Sequence, residues 1–305
     1  MSITAPPPVE VVDNPVVTSW SEIDAFRQCP FKHHLAYRER WQSDADKPAL
    51  ARGTAWHEIM EAHYEGIRNG TDPWGVIGTL LNIHGEQTEQ QELLMWMYMG
   101  YCELYGKDKD PGWTIKEIEW KGFAPLPNPH GGPSRFMLKV KIDLIAAKRG
   151  RLWIWDHKTA RNLPSDKELD LDDQFGLYIW CMRQLGYPVA GAIYNTARTQ
   201  RNKKPMEMNE RFSRVPLSRT DVELDTLAAE AYLSAEKAWV EVQDVLPERT
   251  PNTDTCRWKC DFTEACLTGR KGGNAEAMLT AHGYTSNPFR EVELDWKRYK
   301  NSEPI

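Results

Sequence analysis

Apolar positions in the middle of the chain recur with period two. Over 135–147, "RFMLKVKIDLIAA", Phe136, Leu138, Val140, Ile142 and Leu144 fall on one side of an extended strand, and Lys139, Lys141 and Asp143 on the other. Arg149 and Gly150 turn the chain straight into "RLWIWDHKT" (151–159), where Leu152, Ile154, Asp156 and Lys158 share one face and Trp153, Trp155 and His157 the other. The two runs predict an antiparallel hairpin. Further strands are predicted in "WTIKEIEWK" (113–121) and "VAGAIYNTA" (189–197), with the turn formers of "GFAPLPNPHGGPS" as a loop between the first of these and the hairpin.

Helical spacing governs the flanks. In "SWSEIDAFRQCP", Ser19 and Glu22 have capping-box spacing, Ile23 and Phe26 lie on one side, and Pro30 stops the run after Cys29. A second helix is predicted in "FKHHLAYRERW". A stronger one runs through "RGTAWHEIMEAHYEGIRNG", with Trp56, Met60 and Tyr64 four apart and Gly70 at a C-cap position. Others are predicted in "QELLMWMYMGYCELYG", in "DDQFGLYIWCMRQLGYP" closed by Gly186 and Pro188, and over about 219–244. Helices, antiparallel strands, helix, strand, helix: this order predicts an α/β domain with a mixed central sheet flanked by helices. Residues 1–17 read as an extended arm, 18–250 as the core, 251–270 as a cysteine cluster and 271–305 as a C-terminal tail.

Composition narrows the class. With 305 residues, 41% apolar, and 13 Trp, the chain can bury a substantial core. No apolar run approaches a membrane span, and "MSITAPPPVEVVDNP" lacks the basic-then-apolar order of a secretion signal, so a cytoplasmic protein without a membrane partner is expected. The net charge of −6 gives no global attraction to nucleic acid; holding phosphates would take a local basic cleft or a metal. Of six cysteines, Cys102 and Cys181 sit in apolar helical patterns and read as core. Cys29, Cys256, Cys260 and Cys266 need another account.

An unpaired charge removed from water is costly, so Asp156 and Lys158 on one strand face either pair with each other or serve a ligand. A salt bridge at a strand end explains Lys158. It leaves Asp143 unexplained, thirteen residues earlier on the charged face of the neighbouring strand. Two hard oxygen ligands converging at one end of a sheet suit Mg²⁺ or Mn²⁺, with an ammonium beside them to orient water or offset phosphate charge.

Asp143 followed by Asp156-His157-Lys158 resembles the signature of the PD-(D/E)xK nuclease superfamily, with its restriction-endonuclease-like core. Two companions match its RecB-like branch: "GTAWHEIME", which supplies a histidine metal ligand at His57, and Gln174 and Tyr178 in "QFGLY", which match the helical QxxxY motif near the DNA and the catalytic centre. The resemblance implies a metal-dependent DNA exonuclease acting on single strands or duplex ends in recombination, repair or phage DNA processing, and stand-alone because no helicase motif is visible. It implies Mn²⁺ or Mg²⁺ held by His57, Asp143, Asp156 and the main-chain carbonyl of His157, with catalysis by Asp143, Asp156, Lys158, Gln174 and Tyr178. Glu61, one turn beyond His57, is a candidate supporting acid.

The cysteines extend the resemblance. In AddB-type subunits and the CRISPR-associated adaptation nuclease, one N-terminal and three C-terminal cysteines hold a 4Fe-4S cluster that joins the chain ends; Cys29, Cys256, Cys260 and Cys266 are placed likewise. The three-residue gap between Cys256 and Cys260 departs from the usual two, and zinc on four thiolates is the structural alternative. Arg198, Arg201, Lys203 and Lys204, with Lys32, His33 and His34, are candidates for tracking a DNA backbone, and Trp258 or Phe262 for stacking on bases. Competing readings are an iron-sulfur or zinc nucleic-acid-binding protein with an inactive nuclease site, and a structural metalloprotein whose acids form only salt bridges.

Overall fold

The computed structural model describes residues 9–43, 48–85, 89–106, 112–202, 204–241 and 247–286. In chain order the elements are β1 (Val11–Ser19), α1 (Trp20–Gln28), α2 (Pro30–His33), a π-helical turn (His34–Arg38), β2 (Trp41–Ser43), α3 (Pro48–Asn69), α4 (Trp74–Gly85) and α5 (Glu89–Tyr105). Then follow β3 (Trp113–Pro125), β4 (Ser134–Lys148), β5 (Arg151–Ala160), α6 (Asp166–Asp170), α7 (Asp173–Gln184), β6 (Val189–Arg198), α8 (Met208–Arg211) and β7 (Phe212–Leu217). The C-terminal part holds α9 (Asp221–Glu241), α10 (Thr253–Trp258), α11 (Thr263–Arg270), α12 (Ala275–Ala281) and β8 (Tyr284–Ser286).

Six strands form a mixed sheet in the order β1-β4-β5-β6-β7, with β3 also on β4. The centre of that sheet is the predicted hairpin. Arg149 and Gly150 both have positive φ (52° and 74°), the backbone of a two-residue hairpin turn whose twist suits its strands, and Lys148 pairs with Arg151. This register fixes every later pair up to Leu144 with Trp155.

β4 is long enough to serve three neighbours. β3 lines one edge along 137–148, so the other edge is shared: β1 pairs in parallel with 134–139, and β5 antiparallel with 144–148. Between them the sheet forks, and Asp143 stands at the fork.

Two apolar layers cover the sheet. Ile23 of α1, Phe175, Leu177 and Ile179 of α7 and Leu224 of α9 pack with Phe136, Leu138, Val140, Ile142 and Ile154. On the other side, Trp56, Ile59 and Met60 of α3, Ile77 of α4 and Met97 and Tyr98 of α5 pack with Leu144 and Trp155. Leu144 thus joins the cluster opposite Ile142, a change from the unbroken alternation read in the sequence, and the break falls at Asp143. A Cβ on Gly176 would lie 2.4 Å from a Leu227 methyl, so glycine is what lets α7 press against α9.

Several elements differ from expectation. The segment read as an extended arm is extended and contributes β1, which pairs with β4 at Val11 and again over Val16–Ser19. The loop assigned to "GFAPLPNPHGGPS" begins as strand, because β3 continues to Pro125. The helix expected in "FKHHLAYRERW" is α2 and a π turn, and then strand β2. The C-terminal tail is structured as far as 286: β8 pairs antiparallel with β2, while Phe31, Leu35, Phe262, Ala265 and Leu279 form a third small core. The C-terminal segment is therefore packed against the α2–β2 segment. No helix among the described residues is long and apolar enough to cross a membrane.

Candidate metal centre

The site grows from the fork. With no ladder partner from β1 or β5 at Asp143, its carboxylate replaces a main-chain acceptor, and Oδ2 takes the N–H of His157 at 2.7 Å. Helix α3 brings His57 Nδ1 to 3.1 Å from the same oxygen. Burial pulls the His57 imidazole down, but the hydrogen bond and charge of Asp143, with the charge of Asp156, outweigh it and its pKa rises. Burial likewise pushes Asp143 up, and His57 together with the His157 N–H more than reverses it.

On β5 the predicted face alternation holds. Asp156 is 5% exposed, and its Oδ2 lies 2.7 Å from Lys158 Nζ in a contact that lacks hydrogen-bond angles. Burial, reinforced by the charge of Asp143, raises the Asp156 pKa. Burial opposes the charged form of Lys158, yet Asp156 prevails and keeps the ammonium protonated well above neutrality. Lys158 Nζ also donates to Gln174 Oε1 (3.1 Å), and Gln174 Nε2 donates to the Tyr178 hydroxyl (3.0 Å), whose phenol burial pushes up to about 12. The Asp172 side chain caps α7 on the Gln174 N–H, which sets the start of the helix that carries this relay.

His157 turns its ring the other way. It stacks on Tyr64 with centroids 5.3 Å apart, its Nδ1 is 2.7 Å from Asn195 Nδ2, and burial drives its pKa down to about 3, so the ring is neutral. Only the main chain of His157 belongs to the acidic site.

Among the described residues, His57, Glu119 and Asp143 form a group whose candidate ligand atoms all lie within 4.8 Å of one another. Glu119 escaped the sequence reading, which put Asp156 third. It stands at φ 53°, just after a bulge in β3, and pairs with Lys141. The positive φ, rare for a residue with a side chain, turns Glu119 out of the strand alternation, so no periodicity marked it. One imidazole with hard carboxylates, one oxygen of Asp156 lacking a directed hydrogen bond, and an ammonium alongside fit a divalent cation.

Residues 17–267 match the PD-(D/E)XK nuclease superfamily. The chain belongs to that superfamily. A crystal structure of a provisionally named exonuclease from Eubacterium rectale is similar in fold, with a TM-score of 0.50 and 16% identity over 79% of this chain and 87% of that one. The structure of SSO0001 aligns over 79% of this chain and 93% of its own with a TM-score of 0.32 and 14% identity. No curated protein matches. The fork, the Asp156–Lys158 end of β5 and the α7 relay lie together, at the end of the strands away from the hairpin turn.

The cysteines converge elsewhere. Cys29, Cys256, Cys260 and Cys266 all line one cavity of about 300 Å³, with Lys32, Arg249 and Arg270 at its walls. No three of their sulfurs lie mutually within 4.8 Å.

The basic loop is only partly as expected. Arg198 closes β6 opposite Ala160, two residues beyond Lys158, and donates to the Arg161 carbonyl (3.0 Å) and Asn162 Oδ1 (3.2 Å). Arg201 is drawn to the main chain of Glu92 and the Trp96 ring. Lys204 is exposed, and Lys203 lies outside the described residues. His33 is buried against Tyr37 and Glu22 and Phe262 is buried, so these two are structural and not available to DNA, whereas His34 is partly exposed and pairs with Glu39. Glu61 feels the charge of Glu119 and Lys141, which places it at the margin of the site.

Proposed function

We propose that the protein is a divalent-metal-dependent DNA exonuclease, cutting phosphodiesters at single strands or duplex ends during recombination, repair or phage DNA processing. The observation that carries this reading is the meeting of Asp143 with His57 at the strand fork, one strand from the Asp156–Lys158 pair. His57, Glu119, Asp143, Asp156 and the His157 main-chain carbonyl would hold Mn²⁺ or Mg²⁺. Such an ion supplies the Lewis acidity that makes water nucleophilic at neutral pH and offsets charge on the scissile phosphate. Imidazole among the ligands favours Mn²⁺. Lys158 stays protonated and therefore acts as a cation: it donates to the attacking water or to a phosphate oxygen and is not the base. Gln174 and Tyr178 hold the ammonium in line. Arg198, which closes β6 beside the end of β5, would contact the DNA backbone, together with Arg201, Lys203 and Lys204 of the loop that follows.

The cysteine cavity is proposed to hold a 4Fe-4S cluster that links Cys29 to the C-terminal segment. A cavity of about 300 Å³ lined by all four thiols leaves room for a polynuclear group, with a single zinc on four thiolates as the structural alternative. All six cysteines are free, which fits a cytoplasmic setting.

The test is anaerobically purified protein incubated with Mn²⁺ and end-labelled single- and double-stranded DNA, beside Asp156→Ala. Progressive shortening by the wild type alone is expected; equal digestion by both proteins would reject the assignment. Iron, acid-labile sulfide and zinc measured on the same preparation separate a brown iron-sulfur protein from a colourless zinc protein.

A further inference from the structure

We infer that Arg257, Trp258 and Lys259 form a base-stacking contact for single-stranded DNA at the mouth of the nuclease site. The inference rests on the nuclease reading above and adds the element that grips the strand's bases.

These are the three residues between Cys256 and Cys260, so two residues that line the cysteine cavity also anchor the segment at both ends. Its base is fixed. The Cys256 N–H bonds the Asn252 carbonyl at 2.7 Å, the Asn252 side chain caps α10, and the Thr263 hydroxyl lies against the carbonyls of Cys256 and Cys260. On this rigid base Trp258 is 72% exposed, whereas Phe262, four residues on, is 5% exposed and fills the small C-terminal core.

An indole left in water costs burial that the fold otherwise achieves, since Trp56 and Trp155 are almost fully enclosed. The Arg257 guanidinium sits 4.6 Å from the Trp258 ring centroid, covering one face and adding positive charge to it. Lys259 supplies a second cation, next to the indole in the chain. The cavity that Cys256 and Cys260 line is also lined by Gln28 and Cys29, and the neighbouring Arg27 pairs with Asp173 at 3.1 Å, at the start of the α7 helix that carries the Gln174–Lys158 relay.

The chemistry points to one ligand class. An exposed aromatic ring flanked by two cations, on a chain of net charge −6, matches a stacked base with phosphates on either side. Paired bases inside a duplex do not offer that face, so an unpaired strand is the form recognised.

The experiment uses full-length protein in the Asp156→Ala background, so that no DNA is cut, and measures the anisotropy of a fluorescein-labelled 15-mer of thymidine and of the same strand with abasic tetrahydrofuran units. Trp258→Ala is expected to weaken binding to the thymidine strand by about 10-fold. Trp258→Phe should restore most of it, and the two proteins should bind the abasic strand equally weakly. Lys259→Ala should lower the salt slope and leave the preference for bases intact. Undiminished binding by Trp258→Ala, or equal affinity of the parent for both strands, overturns the inference. If wild-type protein digests DNA while Trp258→Ala still binds normally, the nuclease reading stands and the stacking contact falls. If wild-type protein neither binds nor digests, both fall.

Discussion

Asp143 Oδ2 accepts the main-chain N–H of His157 at 2.7 Å and lies 3.1 Å from His57 Nδ1, so one oxygen both ties β4 to β5 at the fork and faces the candidate metal ligand of α3. Structure and chemistry are thus combined in a single atom, and substitutions can separate them. Asp143→Asn keeps a carbonyl oxygen to accept the His157 N–H and removes the charge. It is expected to fold normally while losing metal-dependent DNA cleavage by roughly 10²-fold or more, the scale for removing one oriented charge-stabilising group. Asp143→Ala leaves a buried N–H without its acceptor and should cost about 1–3 kcal/mol in addition. Urea unfolding of both variants beside a cleavage assay checks the separation.

Lys158 is held from two sides, by Asp156 at 2.7 Å and by Gln174 Oε1 at 3.1 Å. Gln174→Ala frees one side without touching the charges, and kcat is expected to fall by about 10- to 100-fold, the usual range for losing a partner that orients a site group. Lys158→Ala should fall further. Lys158→Arg keeps the charge but substitutes a planar fork for a compact ammonium, and is not expected to recover activity. Steady-state kinetics at saturating Mn²⁺ distinguish the three.

Glu119 is shared between Lys141 and the group with His57 and Asp143. If it is a ligand, Glu119→Gln should raise the Mn²⁺ concentration for half-maximal activity by about 10-fold or more, with activity recovering at high metal. Lys141→Ala should act in the opposite direction, lowering that midpoint by a few-fold, since a half-exposed ion pair is a weak competitor. Metal titration by calorimetry reads the same shift without catalysis. No change in either variant would confine Glu119 to its ion pair.

Much of this site was legible because it obeys period two. The Arg149–Gly150 turn fixes the hairpin register as far as Leu144 and Trp155, and the next residue on each strand brings Asp143 beside the Asp156–Lys158 end of β5, where its carboxylate takes the His157 N–H. Gln174 and Tyr178 were marked by the QxxxY resemblance, and their side chains, four apart on α7, hydrogen-bond to each other. What was not legible breaks a period or depends on remote chain. Glu119 sits beyond a bulge with φ 53°, and Leu144 changes sides at the fork. β1 contains Pro15 and β7 contains Pro216, each a residue that argues against a strand until an edge or a partial partner accommodates it. α4 carries Gly75 and Gly78, which weaken the helical signal. β2 and β8 have three residues each and exist only through each other, 241 positions apart at Ser43 and Tyr284 and 245 at Trp41 and Ser286, a pairing invisible to any local pattern.

The far side of the catalytic strand makes a prediction about acid. His63 of α3 is buried among Tyr64, Tyr98 and Tyr101, with Nδ1 3.1 Å from the Tyr98 hydroxyl and no partner for Nε2, and burial lowers its pKa from 6.5 to about 4. Because the folded value is below the unfolded one, the unfolded chain takes up the proton first. This contribution to stability is therefore complete above about pH 6.5, is lost as the pH falls toward 4, and is constant below; the whole span is on the order of 3 kcal/mol. His157 behaves in the same direction and His57 in the other, so the wild-type curve alone does not isolate His63. His63→Phe keeps the ring and removes the titration. Between pH 6.5 and 5 the wild type should lose roughly 1.5 kcal/mol more than this variant in urea unfolding, whatever their difference at neutral pH. Parallel pH curves would mean that water reaches the His63 imidazole and that the aromatic layer behind the catalytic strand is not sealed.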